Sequence, residues 1–317
     1  MSPSPDSPLS SDASALPNQE ACKSPTRVLS GSAYLSLPRP AGVWLVDTIL
    51  PVGGTLLLYG DPKVGKSFAA LQLAAALATG SDWLGFPVPT AVKVVYIQLD
   101  TPRSLWIDRV SRLNASGLPT DVVFYSDREL LQTWPFNILD PLHQRVLRET
   151  LDEVKPDVVI LDTLREAHRG DENDSTDMQN VLSHLTSIVK PAALILVAHG
   201  KKASIENPAS LINGNRGSNY VSGAVDTILH MTAKGVEIGG RAIEEVYIKL
   251  DRGADGVFSL ADGDRVKNVA RELLTNPIHF NLSLRDRAKL LASQTGKTVG
   301  ACLSTLQRMQ KAIEIGD

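Results

Sequence analysis

The chain has 317 residues, a formal net charge of -3 and 43% hydrophobic side chains. This length accommodates one sizeable α/β core and a small appendage, because single cores stop growing at about 250–300 residues. The near-neutral balance argues against a globally basic protein that coats nucleic acid, so any such contact has to be local. The two cysteines lack metal-ligand spacing, which argues against a disulfide framework and a zinc site.

The beginning of the chain indicates a tail followed by a compact domain. Residues 1–33 are predicted to form a disordered N-terminal tail, since Ser, Pro, Asp and Ala dominate there and cannot offset the entropy of ordering. Residues Tyr34 to Leu50 carry apolar side chains among prolines and are predicted to form a strap, a segment that packs against a core. The sequence has no apolar run of about 18 residues and no signal-peptide order, so we expect a soluble cytoplasmic protein without a membrane partner.

The segment from Gly60 to Ser67, GDPKVGKS, fits the phosphate-binding loop pattern at every fixed position. A predicted strand over Thr55–Tyr59 precedes the loop and a predicted helix over Phe68–Thr79 follows it. Lys66 is expected to reach the outer phosphates of ATP and Ser67 to ligate Mg²⁺, with GTP left open as the nucleotide. The predicted nucleotide-binding residues are Gly60, Asp61, Pro62, Lys63, Val64, Gly65, Lys66, Ser67 and Phe68.

Strands and helices then alternate, which predicts a mostly parallel central sheet with helices on both faces. The predicted strands are Val92–Leu99, Val122–Tyr125, Val158–Leu161 and Leu194–Ala198, and the predicted helices are Arg103–Leu113, Leu142–Val154 and Met178–Val189. Further along, Val225–Met231 and Glu244–Leu250 are predicted to be antiparallel strands joined by a Gly-containing turn. The main domain is expected to cover residues 34–262.

Three polar residues follow predicted strands, where an open parallel sheet holds its ligands. Asp162 ends a four-residue apolar strand in the manner of a Walker B aspartate that holds the Mg²⁺ shell. Asp100 is a candidate to orient or deprotonate the attacking water, with a helix cap before Pro102 as the alternative. His199 is a candidate γ-phosphate sensor, although a histidine at a strand end is often structural.

The order of these motifs resembles the RecA-like core of the RepA/DnaB-type hexameric replicative helicases, especially the plasmid RepA-like branch. The resemblance covers residues from about 40 to 260 and rests on GDPKVGKS, VVYIQLDTP, VVILDTLREAHRGDENDS, LILVAHGKKAS and NRGSNYVSGAVDTILHM. It implies a RecA-like P-loop fold, a Walker B role for Asp162 and a sensor role for His199. Asp100 stands where that family usually has a catalytic glutamate, one methylene longer, so slow hydrolysis with help from Glu166 or Glu172 is an option.

The resemblance also implies an arginine finger from the next subunit of a ring, which would stabilise charge on the transferring phosphoryl group. Arg252 is the first candidate and Arg216 the second, because the Lys-x-Arg spacing of that family is not kept here. Either arginine could instead be a surface ion pair. Loops after Asp162 and His199 would face single-stranded DNA, with Lys201, Lys202 and Arg216 on phosphates and Tyr220 as a stacking face, and a solvated loop is the alternative.

The loop after Asp162 is acidic, which counts against a contact with a phosphate backbone. Its carboxylates could instead contact Arg165, Arg169 or a neighbouring subunit, and Asp174 could cap the next helix. The acidic residues are Asp171, Glu172, Asp174 and Asp177.

The last segment, residues 263–317, is predicted to be a small helical unit resembling a helix-turn-helix. Helices over Leu284–Ser293 and Val299–Ile313 flank a break at Gly296, and a winged-helix-like DNA or partner module and a structural cap are both open. The leading hypothesis is an ATP-hydrolysing DNA helicase that works as a hexameric homo-oligomer in replication. The alternative is a RecA-like switch that assembles on DNA or a partner in replication, recombination or repair without unwinding. A small-molecule kinase would need an Arg-rich lid that this sequence does not supply.

Overall fold

The computed structural model describes residues 28–37, 42–200, 219–275 and 277–315. Contacts divide the chain into two compact units, residues 1–41 and residues 42–317. In the first unit a short helix, α1 (Gly31–Leu35), begins after Ser30, whose hydroxyl accepts a hydrogen bond from the backbone N–H of Ala33. Most of the predicted tail lies outside the described residues, so its disorder stays a prediction.

The second unit contains a large central sheet and a two-stranded ribbon. The ribbon pairs β1 (Trp44–Val46) with β2 (Leu50–Pro51) in antiparallel fashion. The strands of the central sheet within the described residues are β3 (Thr55–Gly60), β4 (Val94–Gln98), β5 (Phe124–Asp127), β6 (Val158–Asp162), β7 (Ala193–His199), β8 (Thr227–Thr232), β9 (Gly235–Gly240), β10 (Val246–Arg252) and β11 (Phe258–Leu260). Their order is β11-β10-β9-β8-β3-β7-β6-β4-β5.

Helices cover both faces of this sheet. Helices α2 (Lys66–Thr79) and α3 (Arg103–Ala115) pack on one face, and α4 (Pro141–Val154), α5 (Ser175–Val189) and α6 (Asn219–Ala224) pack on the other. The remaining helices of the described residues are α7 (Asp262–Thr275), α8 (Leu284–Thr295) and α9 (Val299–Ile315). The strands from β8 to β5 run parallel, whereas β9, β10 and β11 pair with antiparallel neighbours. The predicted α/β fold with a mostly parallel sheet is therefore confirmed. None of the helices in the described part of the chain combines the length and apolarity that a membrane crossing requires.

The P-loop strand β3 shows how the sequence fills both faces. Side chains alternate along a strand, so Leu56 and Leu58 join the core on the α2 and α3 side, while Leu57 and Tyr59 join the core under α4 and α5. A strand buried on both faces reads as a continuous apolar run, which is why the parallel strands were predicted with nearly their observed bounds. Residues of the predicted strap, including Leu45 and Ile49, are buried in the first of these cores.

The predicted hairpin between Val225 and Leu250 is wrong in its connection. A further strand, β9, lies between the two predicted strands and pairs with both β8 and β10. Because β9 begins with Gly235 and ends with two glycines, the segment reads as a turn, yet Val236 and Ile238 bury their side chains in the core. The short strand β11 and helix α7 were also absent from the predicted element list.

The C-terminal helices α7, α8 and α9 enclose a small core of their own, which includes Leu273, Leu291 and Leu306. Helices α8 and α9 match the two helices predicted from the sequence, and Gly296 ends α8 in the left-handed conformation with a φ of +69°. Among the described residues after Leu260, all regular structure is helical, without a strand that could form a wing. The boundary at residue 263 stays a prediction.

Candidate active site

The parallel strands bring residues from distant parts of the sequence to one edge of the sheet. In the strand register Gly60 is opposite His199, and Gln98 is opposite Asp162. The backbone N–H of Gly200 donates to the carbonyl oxygen of Gly60 over 2.8 Å, which ties the end of β7 to the start of the phosphate loop. The predicted edge therefore exists, and the predicted residues Gly60, Asp162 and His199 lie along it.

The phosphate loop ends at the start of α2 with its backbone donors open. Gly65 precedes the helix with a φ of +101°, no side chain caps the helix, and its first turn carries no acidic residue. A Cβ at Gly65 would lie 2.6 Å from a ring atom of Phe258, so glycine is needed for both conformation and space. An uncapped helix start with open N–H groups is suited to an anion such as a phosphate.

Lys66 lies inside this loop. Its Nζ donates to the carbonyl oxygens of Gly60 at 2.9 Å and Asp61 at 3.0 Å, and the residue is buried. Burial lowers the pKa of Lys66, and the nearby carboxylates of Asp162, Asp61 and Asp100 act in the opposite direction. The ammonium group is thus held at the mouth of the loop by neutral carbonyls that a phosphate oxygen can replace.

Asp162 at the end of β6 is the most buried carboxylate of the site, with 1% of its surface exposed. Its Oδ2 accepts hydrogen bonds from the Tyr96 hydroxyl at 2.7 Å and from Gln98 Nε2 at 3.3 Å. Its Oδ1 is buried and accepts no hydrogen bond from the described residues. Burial raises the pKa of Asp162, while the hydroxyl groups of Tyr96 and Ser67 oppose that rise.

The donors at this position fit a magnesium ion. Ser67 and Asp162 offer hard oxygen ligands side by side, and the unpaired Oδ1 is the atom left for a cation or its water shell. The described residues contain no group of three or more His, Cys, Asp or Glu side chains that could hold a metal ion. Mg²⁺ is usually bound by one or two carboxylates together with substrate phosphates, so this sparse set suits it.

Asp100 follows β4 and is exposed at the same edge. Its backbone N–H and that of Thr101 donate to Gln98 Oε1 over 2.7 and 3.0 Å. The Asp100 carboxylate is close enough to raise the pKa of Asp162 and to oppose the lowering of the pKa of Lys66. The two carboxylates predicted from separate strands therefore belong to one electrostatic site around Lys66.

Comparison with known proteins identifies the family. A family described as "AAA domain" matches residues 20–204, more than half of the chain.

The chain belongs to the AAA domain family.

A curated relative, "DNA repair protein RadA" of Listeria monocytogenes serovar 1/2a (strain ATCC BAA-679 / EGD-e), is 25% identical over 166 residues. The match covers 50% of this chain and 31% of the relative, so this chain spans about a third of that protein's length. Together with the sheet topology, these similarities establish a RecA-like P-loop ATPase domain. The narrower assignment to the hexameric helicases stays a prediction.

In this AAA-domain chain, the β10–β11 hairpin covers the start of α2. The Gln72 side chain exchanges two hydrogen bonds with the backbone of Phe258, at 2.7 and 3.0 Å. Arg252 places its guanidinium carbon 4.7 Å from the centre of the Phe68 ring and 5.5 Å from that of Phe258. The predicted arginine finger therefore lies beside the phosphate loop of its own chain, and a role in a neighbouring site stays a prediction.

Several predicted residues are not brought into this site by the described structure. Lys201, Lys202 and Arg216 lie outside the described residues. Tyr220 belongs to α6 and is packed against the core under α5, so part of its ring is covered. Asp174 caps α5 by accepting hydrogen bonds from the N–H groups of Thr176 and Asp177, as one of the alternatives for the acidic loop predicted.

The ATPase domain also has an exposed aromatic surface near the Walker B loop. Trp134 lies in the loop after β5, and 48% of its surface is exposed. The guanidinium carbons of Arg128 and Arg169 are 4.8 and 5.8 Å from the centre of a Trp134 ring. We call these three residues the Trp134 surface. Sequence reasoning missed it because the arginines are 41 positions apart, from 128 to 169, and only the fold brings them together.

Sequence reasoning also missed Tyr96 and Gln98, the two partners of Asp162. The available signal was the pair of polar side chains in an otherwise apolar strand, Val94 to Leu99. A buried polar residue needs a partner, and on a central parallel strand that partner lies on a neighbouring strand. The sequence does not reveal which strand neighbours β4.

Proposed function

We propose that this protein is a Mg²⁺-dependent ATP hydrolase that acts as a DNA motor, a ring-forming helicase of the replicative type that translocates on single-stranded DNA. The convergence of Lys66, Asp162 and Asp100 at one edge of the sheet carries the proposal. These residues supply a phosphate-binding ammonium group, a metal-binding carboxylate and a base next to each other. The AAA domain family and the RecA-like topology support nucleotide hydrolysis.

In the proposed reaction, the loop from Gly60 to Ser67 surrounds the phosphates and Lys66 contacts the outer ones. Asp100 accepts a proton from a water molecule whose oxygen forms a bond to the γ-phosphorus. The bond between that phosphorus and the β–γ bridging oxygen breaks, which yields ADP and inorganic phosphate. When bound between Ser67, Asp162 and the phosphates, Mg²⁺ would neutralise charge that develops on the phosphate oxygens.

His199 and the two candidate arginines complete the proposed site. His199 is partly exposed at the end of β7, opposite Gly60, which supports a role in sensing the γ-phosphate. Arg252 lies beside the phosphate loop of its own chain, and this supports a contact with the nucleotide bound there. Arg216 is then the remaining candidate for a finger that reaches the neighbouring subunit of a ring.

Single-stranded DNA is the proposed track, and the described residues that support it form the Trp134 surface. A half-exposed indole can stack on a base, while arginines beside it can contact the flanking phosphates. This surface occupies the same sheet edge as the nucleotide site, since it is built by the loops after β5 and β6. The relative's name, a DNA repair protein, points to the same class of partner.

The alternative is a RecA-like switch that assembles on DNA or a partner without unwinding. The short Asp100 side chain favours this alternative, since hydrolysis with an aspartate in place of glutamate is expected to be slow. Unwinding of a forked duplex distinguishes the two functions. A motor displaces the annealed strand in an ATP-dependent manner, whereas a switch binds the fork and leaves the strand annealed.

The decisive experiment measures the rate of ATP hydrolysis with and without single-stranded DNA. For the proposed motor we expect Mg²⁺-dependent turnover that rises when DNA is added and disappears with EDTA. Equal rates with GTP would broaden the nucleotide assignment. Absence of turnover under all these conditions would contradict the proposed hydrolase.

A further inference from the structure

Gln98 connects the two carboxylates of the site. It is the last residue of β4, has 1% of its surface exposed and uses both ends of its amide. Oε1 accepts hydrogen bonds from the N–H groups of Asp100 and Thr101, and Nε2 donates to Asp162 Oδ2. The side chain therefore bridges the loop that carries Asp100 and the buried Walker B aspartate on the neighbouring strand.

The chemistry of the partners fixes the orientation of the amide. Two backbone N–H groups require an acceptor, and a carboxylate requires a donor. Rotating the amide by half a turn would therefore place donor against donor at one end and acceptor against acceptor at the other. The Tyr96 hydroxyl donates to the same carboxylate oxygen at 2.7 Å. Asp162 Oδ2 is thus occupied by two donors, and Oδ1 is the oxygen that remains for the cation.

We propose that Gln98 is a positioning residue that holds the Asp100 loop at a set distance from Asp162, so that the base and the metal-binding carboxylate meet the same nucleotide. The inference rests on the proposed ATP hydrolysis and concerns the geometry of its base. Asp100 itself is exposed, so its own side chain has little packing that could fix it. The two N–H groups bonded to Gln98 fix the loop instead. They belong to Asp100, which carries the base, and to Thr101, which follows it.

The first test replaces Gln98 with methionine, which keeps the length of the side chain and removes both hydrogen-bonding ends. We expect kcat for ATP to fall by about 10- to 100-fold, the usual range for partners that orient metal ligands and catalytic groups. The dissociation constant for a fluorescent ATP analogue without Mg²⁺ should change by less than about twofold, because the hydrogen bonds of the Gln98 side chain go to Asp100, Thr101 and Asp162. Retained binding also shows that the variant is folded.

Tyr96→Phe is the matched control. It removes the other hydrogen bond to Asp162 Oδ2 and leaves the Asp100 loop bonded to Gln98. We expect a smaller loss of kcat and a higher Mg²⁺ concentration for half-maximal rate. If Tyr96→Phe and Gln98→Met lowered kcat equally and shifted the Mg²⁺ requirement equally, Gln98 would act through Asp162 alone, and the proposal would be wrong.

A double-mutant cycle separates positioning from a merely structural role. If Gln98 acts through Asp100, Gln98→Met should cost less than about twofold in kcat when Asp100 is already asparagine. A full additional loss in the Asp100→Asn background would overturn the proposal. If Gln98→Met does not fold, Gln98→Asn, which keeps the amide but cannot span both partners, takes its place in the cycle.

The outcome for the wild-type protein keeps this inference distinct from the proposed function. A wild-type chain without ATP turnover refutes the proposed hydrolase and, with it, the basis of the inference. A wild-type chain that turns over ATP, together with a fully active Gln98→Met variant, refutes only the positioning role. Turnover in the wild type with non-additive losses at Gln98 and Asp100 supports both.

Discussion

At the scale of single residues, the site is built from polar groups that the fold removes from water. Lys66, Gln98 and Asp162 are all buried, and each is satisfied at least in part by a neighbour on another segment. Burial of a polar group is costly unless it is paired, so such groups are expected where chemistry requires them. His168, in the loop after β6, is a fourth buried group, with 0% of its surface exposed.

Replacing Lys66 with alanine should remove the charge that contacts the outer phosphates. We expect the ATP hydrolysis rate to fall by at least about a hundredfold, because a preorganised cation in a water-poor site stabilises the developing negative charge strongly. Steady-state phosphate release at saturating ATP is the measurement. Lys93→Ala, an exposed lysine at the other end of β4, is the control and should keep the wild-type rate.

His168 should make stability depend on pH. Burial, followed by the charge of Arg165, lowers the pKa of His168 to about 4, below the ordinary value of 6.5. Between these values the unfolded chain binds a proton that the folded chain excludes, so stability falls as pH drops from 6.5 to 4. The loss attributable to this group is on the order of 3 kcal/mol.

Urea unfolding at about pH 7 and pH 4.5 checks this expectation. The stability of His168→Leu relative to the wild type should increase toward low pH, because the variant has no proton to exclude. The exposed His184→Leu change in α5 is the control. Parallel pH profiles for the wild type and His168→Leu would show that His168 does not titrate in this way.

At the scale of elements, the packing of the β10–β11 hairpin against α2 decides that Arg252 reaches the site. The β10–β11 hairpin approaches α2 closely because Gly256, with a φ of +93°, leaves room for the Phe68 ring. The hydrogen bonds between Gln72 and Phe258 hold the hairpin there. Consequently Arg252 lies next to Gly65, the glycine that precedes Lys66.

Subunit mixing tests whether Arg252 serves its own nucleotide. Arg252→Ala should lower ATP hydrolysis by about 10- to 100-fold, the cost of one lost charge-assisted contact to phosphate. Mixing this variant with Lys66→Ala should restore no activity, because both lesions affect the same subunit's site. Recovery toward the wild-type rate would instead show that Arg252 reaches the neighbouring subunit, as the family resemblance implies.

The Trp134 surface makes a prediction for the loops after β5 and β6. Trp134→Ala should weaken binding of an oligo-dT strand by about fivefold or more, since base stacking on an aromatic ring contributes about 1–3 kcal/mol. Phe124→Ala is the matched control. Phe124 lies on β5 and has the same 48% exposure as Trp134, but no arginine of the described residues lies over its ring. Fluorescence anisotropy measures the affinity.

Intrinsic fluorescence supplies an independent readout of the same surface. Trp83 and Trp106 are buried and Trp44 is partly buried, so an indole that DNA quenches is expected to be Trp134. Quenching that persists in Trp134→Ala, or equal loss of affinity in both aromatic variants, would exclude this surface as the stacking site. If the Trp134 surface bound a protein and DNA did not affect that binding, the partner of this surface would be a protein and not DNA.

At the scale of the whole molecule, the sheet topology places the described candidate residues at the strand ends, among them Gly60, Asp162 and His199, at one edge. The strands β4, β6, β7 and β3 are neighbours although they are separated in sequence by up to about 130 residues, from the end of β3 to the start of β7. In the proposed motor, hydrolysis at one end of these strands would be transmitted to loops that follow the same strands. A ring of such units would alternate nucleotide sites with DNA-facing loops.

Assembly is a prediction at this scale. If ATP binds at interfaces between identical subunits, heterologous contacts should close into a ring when nucleotide is present. We expect native mass spectrometry or light scattering to give six times the 34.1 kDa chain mass with Mg²⁺ and a non-hydrolysable ATP analogue. A monomeric mass at high protein concentration with bound nucleotide would contradict the ring.

Much of the fold and part of the site could be predicted because they depend on local patterns. The loop from Gly60 to Ser67, the parallel strands and the strand-end residues Asp162 and His199 follow from motif spacing and continuous apolar runs. Strand β9 could not be predicted because its glycines mimic a turn. The partners of Asp162 and the contact of Arg252 with Phe68 depend on strand order and on a hairpin that folds back.

The sequence by itself determined that this chain forms a phosphate loop between a strand and a helix, since those constraints act over a few neighbouring residues. Only the tertiary structure decided that Gln98 joins Asp100 to Asp162, that Arg252 lies beside its own phosphate loop, and that Trp134 meets Arg128 and Arg169. The physical reason is that hydrogen bonds and ring contacts between distant segments depend on strand order and register, which no local pattern encodes.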